Sequence, residues 1–189
     1  VGICRAQTVD STLWGVGPGD RVLAVARNAN TIYIGGLFAS VGPNCGGGVP
    51  LDVPNARPTT RYPRVAGRVN AVIPDGAGGW FVGGAFNAVE GRACANLAHV
   101  GPNGIDGGWT ADCNGAVFAL SLAGNTLFVG GDFDTLGGIP RRHLAAVEAV
   151  SGAPTMWDPS LDDHVQALLV DGSQIYAGGR FTSVGGQPK

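Results

Sequence analysis

The stretch TIYIGGLFAS, residues 31–40, returns three more times in nearly the same form along this chain of 189 residues. The later copies read GWFVGGAFNA from Gly79, TLFVGGDFDT from Thr126 and QIYAGGRFTS from Gln174. Their shared phenylalanines are 48, 47 and 48 residues apart, at Phe38, Phe86, Phe133 and Phe181. A constant period of this size is typical of solenoids, propellers and other repeat arrays.

Two further landmarks keep the same register. A V-x-A motif precedes each copy and begins at Val22, Val69, Val117 and Val165. A tryptophan lies eight residues before three of these valines, at Trp14, Trp109 and Trp157, and the remaining copy has Arg61 there. Several landmarks in one register exclude a chance similarity, so the chain consists of four copies of one unit.

One copy consists of short strands separated by turns. In the third copy, AVFAL and TLFVG are rich in β-branched and aromatic residues, and the AGN between them is a turn signal. HLAAVEAV has helical propensity, but its counterpart in the second copy is interrupted by Gly-Pro, which favours a strand in both. A turn at SGAP then leads to a short fourth strand, TMW. Four strands in each unit of about 48 residues predict a propeller blade.

The recurring residues have structural roles in such a blade. A glycine pair at the end of the second strand lets a neighbouring backbone pass closely. The phenylalanine beyond the pair is expected to fill the space between blades, and the tryptophan to cover the outer edge of the same core. The repeated phrase is therefore interpreted as a packing element and not as a ligand-binding loop.

The prediction is an all-β protein, a β-propeller with four blade-equivalents. Residues 21–67, 68–115 and 116–163 are expected to form complete blades. Residues 1–20 match the outer strands of a shared blade, and residues 164–189 match its inner strands. The chain stops at GGQPK, where the third copy continues past GGIPR. A closed four-bladed ring and a part of a larger propeller therefore both stay open.

Composition excludes several classes of protein. The formal net charge is -2, only 14% of the residues are charged, and no basic stripe is present, which argues against a nucleic-acid partner. No apolar run is long enough to span a membrane. The hydrophobic content of 44% is too high for a disordered chain, although there are 33 Gly and 12 Pro.

The four cysteines predict two disulfides. No C-x-x-C pair is present, so a zinc knuckle is not expected. Cys94 opens the third strand of its copy and Cys113 follows the fourth, so the hairpin between them would place the two opposite each other. Cys4 and Cys45 would then form the second bridge. Disulfides indicate an extracytoplasmic compartment, and four buried free thiols are the alternative.

The chain contains no recognisable catalytic motif. His164 lies beside Asp162 and Asp163, and a His–Asp pair is able to do acid–base work. The alternative interpretation is a solvated turn before the first strand of the fourth copy.

Departures from the repeat mark the candidate binding residues. Asp132 and Asp134 occur in the third copy alone and alternate along an extended segment, where they would offer oxygen ligands to calcium. The irregular segment 45–64 of the first copy is either an extended third and fourth strand with a decorated turn, which is the favoured interpretation, or a recognition loop for an anionic or glycan ligand. Its candidate residues are Arg57, Arg61, Tyr62 and Arg64.

The phrases IYAGGRFTSVGGQP and RRHLAAVEAVSGAPTMWDP resemble the Gly-Gly-x-Phe-Thr β-propeller repeats of bacterial secreted and cell-surface proteins, a group similar to the delta-60 repeats. The third and fourth copies match this pattern closely and the second fairly, whereas the first departs from it after Gly42. The resemblance implies an extracytoplasmic β-propeller that acts as a binding or scaffold unit.

The expected function is a non-enzymatic module, secreted or on the cell surface, that binds a protein or a glycan. No cofactor is expected, because a solvated face is the favoured interpretation of Asp132 and Asp134 and calcium binding is the alternative. One alternative is a glycan-acting hydrolase or lyase with its site at the central mouth of the ring. No Asp or Glu position is shared by all four copies, which counts against that alternative. The other is a fragment or subunit of a larger propeller, whose partner would be the rest of that assembly.

Overall fold

A computed structural model of the chain describes residues 21–28, 31–37, 48–57 and 63–189. These residues form seventeen β-strands and no helix, which confirms the predicted all-β fold. None of the described segments supplies a helix with the length and hydrophobicity that crossing a bilayer requires.

In chain order the strands are β1 (Arg21–Asn28), β2 (Thr31–Leu37), β3 (Gly48–Asp52), β4 (Val65–Pro74), β5 (Trp80–Val89), β6 (Arg92–Ala93), β7 (Leu97–Gly101), β8 (Gly104–Ile105), β9 (Ala116–Ala123), β10 (Thr126–Asp132), β11 (Thr135–Leu136), β12 (Ile139–Pro140), β13 (Leu144–Glu148), β14 (Val165–Asp171), β15 (Gln174–Gly179), β16 (Ser183–Val184) and β17 (Gln187–Pro188). The larger sheets have the orders β1-β2-β3, β4-β5-β7-β8 and β13-β10-β9.

The four copies of the repeated phrase form four antiparallel hairpins, β1–β2, β4–β5, β9–β10 and β14–β15, which we number as the first to fourth repeat hairpins. In each, the first glycine of the pair lies opposite the alanine of V-x-A and the second lies opposite its valine. The residue between valine and alanine is a β-bulge, which bends and twists the strand. The bulge residues are Leu23, Asn70, Phe118 and Gln166.

The first glycine of each of the first three pairs is the contact point for the next repeat hairpin. A Cβ added to Gly83 would lie 2.5 Å from Cγ1 of Val117, and one added to Gly130 would lie 2.7 Å from Cγ1 of Val165. The same collision occurs between Gly35 and the second hairpin. The prediction that these glycines allow close passage of a neighbour is therefore confirmed.

The second glycine of each pair has a different role. A Cβ on Gly84 would collide with the carbonyl oxygen of Arg68, and one on Gly131 with that of Ala116. Both carbonyls belong to the first strand of the same hairpin, beside the bulge. The second glycine thus lets the two strands of one hairpin approach where the bulge narrows their spacing.

Hydrophobic clusters lie between successive repeat hairpins. Phe86 belongs to the cluster between the first and second hairpins, Phe133 to that between the second and third, and Phe181 to that between the third and fourth. Each of these side chains is at most 5% exposed. The expected role of the phenylalanine, filling the space between units, is confirmed for these three copies.

Two of the tryptophans that share a register in the repeat pack on these clusters. Trp109 packs between the second and third hairpins, and its Nε1 donates a hydrogen bond to the carbonyl oxygen of Ala149 at 2.9 Å. Trp157 packs against the third–fourth cluster, with its ring 5.2 Å from that of Phe128. The buried indole nitrogen has a partner, as burial requires.

The third strand of the unit is confirmed, whereas the fourth is shorter than predicted. Leu97–Gly101 and Leu144–Glu148 are strands in the second and third copies. The second copy has a two-residue fourth strand, Gly104–Ile105. In the third copy TMW is not a strand, and Pro154 forms a single bridge to Val147. Proline has no N–H with which to extend the ladder.

The predicted disulfide between Cys94 and Cys113 is wrong, because both cysteines are unpaired. The backbones do come together, and Cys113 N–H donates to the carbonyl oxygen of Ala95 at 2.9 Å. However, Cys94 packs against the first–second cluster and Cys113 belongs to the second–third cluster. Side chains that enter different clusters cannot meet the geometry of a bridge. Cys4 and Cys45 lie outside the described residues.

Candidate functional site

A cavity of about 450 Å³ lies where β6 and β8 of the second copy meet the third copy. Its floor includes the buried Trp109, and Gly137 and Gly138 form the rim contributed by the third copy. The side chains that bring chemistry to it are Arg92, Cys94, Asp106, Thr110 and Asp112.

Arg92 supplies the positive charge of the cavity. It is the first residue of β6, which pairs with the end of β5 through Val89 and follows the tight turn at Glu90 and Gly91. Its guanidinium lies against Gly107, where any Cβ would collide with Nη1. Glycine at this position therefore leaves room for the arginine, whose side chain is exposed to solvent at the cavity.

Asp112 holds the segment that carries Cys94. Its Oδ1 accepts a hydrogen bond from the backbone N–H of Ala95 at 2.9 Å. Burial raises the pKa of the Cys94 thiol, and the charge of Asp112 raises it further. Because the thiolate is the nucleophilic form, Cys94 is a poor nucleophile in this environment.

Asp106 is shared between the cavity and a histidine behind it. Its Oδ1 accepts from Gly108 N–H at 3.0 Å, and its Oδ2 lies 3.3 Å from Nδ1 of His99. The hydrogen bond from Gly108 lowers the pKa of Asp106, burial raises it, and His99 lowers it, with a net lowering. On its other side, His99 Nε2 lies 3.0 Å from Oδ2 of Asp75, and the ring stacks on Phe81. Both ring nitrogens can donate only in the protonated imidazole.

Asp75 anchors the other end of this Asp75–His99–Asp106 chain. Its Oδ1 accepts from the N–H groups of Ala77 and Gly79 at 2.7 and 2.8 Å. Burial raises the pKa of Asp75, but hydrogen bonds from His99 and these amides outweigh it, so the pKa is lowered. The side chains of Asp75 and His99 are only 7% and 15% exposed. These three hydrogen-bonded side chains therefore fix the turn before β5 to β7 and to the segment that follows β8. They support the cavity wall.

Asp132 and Asp134 lie where the alternation predicted. Both are exposed on either side of the buried Phe133, so they share one side of the segment. Asp132 Oδ1 is 3.8 Å from Nδ1 of His143. In the described ranges no three His, Cys, Asp or Glu side chains are grouped as ligands for a metal ion. Within those ranges the two aspartates have no third protein ligand for calcium, which is the weaker of the two interpretations of this pair.

The His164–Asp163 pair forms, whereas Asp162 is used elsewhere. Nδ1 of His164 lies 2.7 Å from Oδ1 of Asp163, which also accepts the backbone N–H of His164. Asp162 Oδ1 instead accepts the N–H groups of Thr182 and Ser183 at 2.8 and 2.9 Å. Since both aspartates bind nearby backbone, the solvated-turn interpretation fits this segment better than acid–base catalysis.

Two of the four candidate residues of segment 45–64 are described. Arg57 follows β3 in an exposed turn, where its N–H donates to Oδ1 of Asn55 at 2.9 Å. Arg64 is exposed just before β4. Arg61 and Tyr62 lie outside the described residues, so the predicted recognition surface stays a prediction.

Sequence reasoning missed the cavity and its charged residues. A signal was present in the comparison of copies. The third copy has Ile139 where the second has Arg92, and Arg141 where the second has Cys94. Arg141 Nη2 donates to the carbonyl oxygen of Thr155 at 2.8 Å, so a long side chain occupies the position that the short cysteine leaves open.

A scan against protein-family models and a search of curated proteins find no match for this chain. Among solved structures, the chain is similar to the computationally designed Ika4 protein, with a TM-score of 0.55 and 14% sequence identity over 91% of this chain and 94% of that one. It is also similar to the computationally designed Ika8 protein, with a TM-score of 0.55 and 14% identity over 86% of this chain. That match spans 44% of Ika8, so the chain covers less than half of its length. At this identity the likeness concerns the fold alone.

Proposed function

We propose that the chain is a β-propeller whose repeat hairpins are the inner strands of successive blades, and that it acts as a non-enzymatic binding module. The common register of the four hairpins and the hydrophobic clusters between successive hairpins support this arrangement. The blade boundaries are those inferred from the repeat. Placement outside the cytoplasm rests on the resemblance to secreted propeller repeats, because the described cysteines are unpaired.

The observation that carries the binding function is the cavity of about 450 Å³ between the second and third copies. Cavities of this size suit small ligands or a few sugar residues of a larger one. The cavity combines the donors of Arg92 with the acceptors of Asp106 and Asp112, so both signs of charge are present and the negative one is in excess. A polyhydroxylated ligand is both donor and acceptor at each hydroxyl, so a neutral glycan fits this lining better than an anion.

The enzyme alternative has little support at this cavity. Cys94 is held as a thiol, and Asp106 and Asp112 each have an oxygen already bound to a backbone N–H. A glycosidase needs two carboxyl groups that face each other across a scissile bond, one of them with a raised pKa. The pKa of Asp106 is lowered instead.

Binding of the purified chain to a neutral glycan array, followed by calorimetry with the best glycan, tests the proposal. Arg92→Ala removes an exposed side chain and is expected to weaken binding about tenfold or more, since a hydrogen bond to a charged group contributes about 1.5–3 kcal/mol. Thr110→Trp should block the cavity by filling it. Arg142→Ala, an exposed arginine in the next copy, is the matched control and should bind normally.

Three results would count against the proposal. Equal affinity of wild type, Arg92→Ala and Thr110→Trp would move the site elsewhere. Failure to bind any neutral glycan would remove the glycan function. Release of free sugar during the incubation would favour the enzyme.

A further inference from the structure

The contact between successive repeat hairpins has two distinct sides. The trailing side is the first glycine of the pair, and the leading side is the V-x-A strand of the next hairpin. Gly83 faces Val117 and Leu120 in one junction, and Gly130 faces Val165 in another. Because the same residues of the repeat meet at each junction, the row of hairpins has a direction, and its two ends present different faces.

Among the described residues, the leading end of the array has no covering segment. Leu120 in the third hairpin and Val72 in the second occupy the same position of the leading strand and are 7% and 5% exposed. Val25 occupies that position in the first hairpin and is 64% exposed. The apolar side chain that would pack on a preceding glycine is therefore left in solvent.

The trailing end is uncovered as well. Among the described residues, a Cβ added to Gly178 would meet only Ala167 of its own hairpin, at 3.8 Å. Beside this glycine, Tyr176 is 53% and Leu169 is 59% exposed. In the third hairpin the counterpart of Tyr176 is Phe128, which packs against Trp157. The fourth hairpin thus presents an apolar surface with a vacant position at its glycine.

We infer that the trailing face of the fourth hairpin, around Gly178, binds the leading face of the first hairpin, around Val25, of a second copy of the chain. The interface continues one that already occurs within the molecule, so its chemistry and shape are given by the junctions at Gly83 and Gly130. Among the described residues the first hairpin does not pack on the fourth, because Val25 is 64% exposed and a Cβ added to Gly178 meets only Ala167. In a ring of two copies joined head to tail, each trailing face is covered by the leading face of the other copy. A heterologous contact forms such a closed ring when the rotation that relates successive copies returns to the first copy.

Size-exclusion chromatography with light scattering on the full chain tests this inference across a concentration series. The wild type is expected at twice its mass of 19.1 kDa. Gly178→Val should abolish the dimer, because a side chain there would collide with the incoming Val25 strand. Its backbone does not need a positive φ, and only Ala167 is near, so the monomer should fold normally.

A second variant tests the leading face of the first hairpin, and a third is the control for an added surface charge. Val25→Asp would bury a charge in the interface and is expected to weaken dimerisation at least about 100-fold. Met156→Asp places the same charge on a residue that is 93% exposed between β13 and β14, and the dimer should persist. Circular dichroism and thermal melting of each monomer establish that it is folded.

Mixing the two interface variants gives the most specific readout. A pair of Gly178→Val and Val25→Asp molecules contains one doubly substituted interface and one unmodified interface, so mixing should restore dimers that neither variant forms alone. A wild type that stays monomeric throughout the concentration series would overturn the inference. It would also be overturned if Met156→Asp disrupted the dimer as much as Val25→Asp, or if mixing restored nothing.

Discussion

Gly83 of the second repeat hairpin lies directly against Val117 of the third, with no space for a Cβ between them. This pair joins neighbouring units of the repeat, and equivalent pairs occur at the other two junctions of the array. The stability of the array should therefore be sensitive to a single methyl group at this glycine.

Gly83→Ala is expected to lower the free energy of unfolding by about 1–3 kcal/mol, because the added methyl overpacks the junction. Gly101→Ala is the matched control, since a Cβ there meets only a carbonyl oxygen at 3.8 Å in the same class of secondary structure. Chemical denaturation of both variants measures the difference. In the double variant with Val117→Ala the two effects should be non-additive, because the smaller side chain makes room for the methyl. Additive effects would mean that the two residues are not in contact.

Two equivalent side chains tie the loop after the glycine pair to the bend just before the first strand of the same hairpin. Asn114 Oδ1 accepts the N–H groups of Asp134 and Thr135, both at 2.9 Å. Asp162 makes the corresponding bonds in the fourth copy, and its Oδ2 also accepts from Thr182 Oγ1 at 2.6 Å. The hydroxyl and amide hydrogen bonds hold the pKa of Asp162 well below its usual range.

The two loops should therefore respond differently to acid. A carboxylate with a lowered folded-state pKa contributes stability above its unfolded pKa of about 3.9 and loses it as the pH falls through the folded value. Amide exchange protection in residues 182–185 should fall in that acidic range, whereas protection in residues 134–137, held by Asn114, should not. Asp162→Asn should remove the pH dependence while retaining Oδ1. Equal acid sensitivity of both loops would contradict this interpretation.

We expect acid to destabilise the fold through the hydrogen-bonded side chains of Asp75, His99 and Asp106. Both aspartates have lowered pKa values, so their contribution is complete above about pH 4 and is lost on acidification below it. Asp75→Asn should flatten the loss of unfolding free energy between neutral and acidic pH, as measured by urea titrations. Asp171→Asn, on an exposed strand end, should leave the slope unchanged. A wild-type slope in the Asp75→Asn variant would show that the buried carboxylate does not titrate as expected.

The two described cysteines should differ in reactivity. Cys113 is 1% exposed and burial raises the pKa of its thiol, whereas Cys94 is only partly buried. A maleimide should label Cys94 slowly in the native protein, and Cys113 only at the rate of unfolding. Peptide mapping under non-reducing conditions reads out both sites. Recovery of a Cys94–Cys113 linked peptide would instead restore the disulfide that the structure does not form.

The repeat allowed the fold class and the packing residues to be predicted from sequence. The four repeat hairpins, the strand at Leu97–Gly101 and the buried Phe133 follow from landmarks that recur, because a shared position in the repeat means a shared environment. The errors occurred where the chain departs from its own average. The predicted TMW strand did not form, leaving one bridge at Pro154, and Cys94 turned away from Cys113 into a different cluster.

The cavity was not predictable in the same way. Arg92, Asp106 and Asp112 are separated along the chain and belong to different outer segments, so no local pattern links them. They come together because β6, the β7–β8 hairpin and the loop of the third copy pack around Trp109. Their side-chain partners, such as the His99 bond to Asp106, also depend on that packing.

The sequence by itself determined the repeat, its strands and the glycine contacts, since these depend on local residue type repeated in register. Only the tertiary structure decided which departures from the repeat share a cavity, which side each cysteine faces, and that Val25 and Gly178 are both left uncovered. Those properties depend on how units stack in three dimensions. Stacking sets the neighbours of a side chain, and a residue's position in the repeat does not specify whether a neighbour is present.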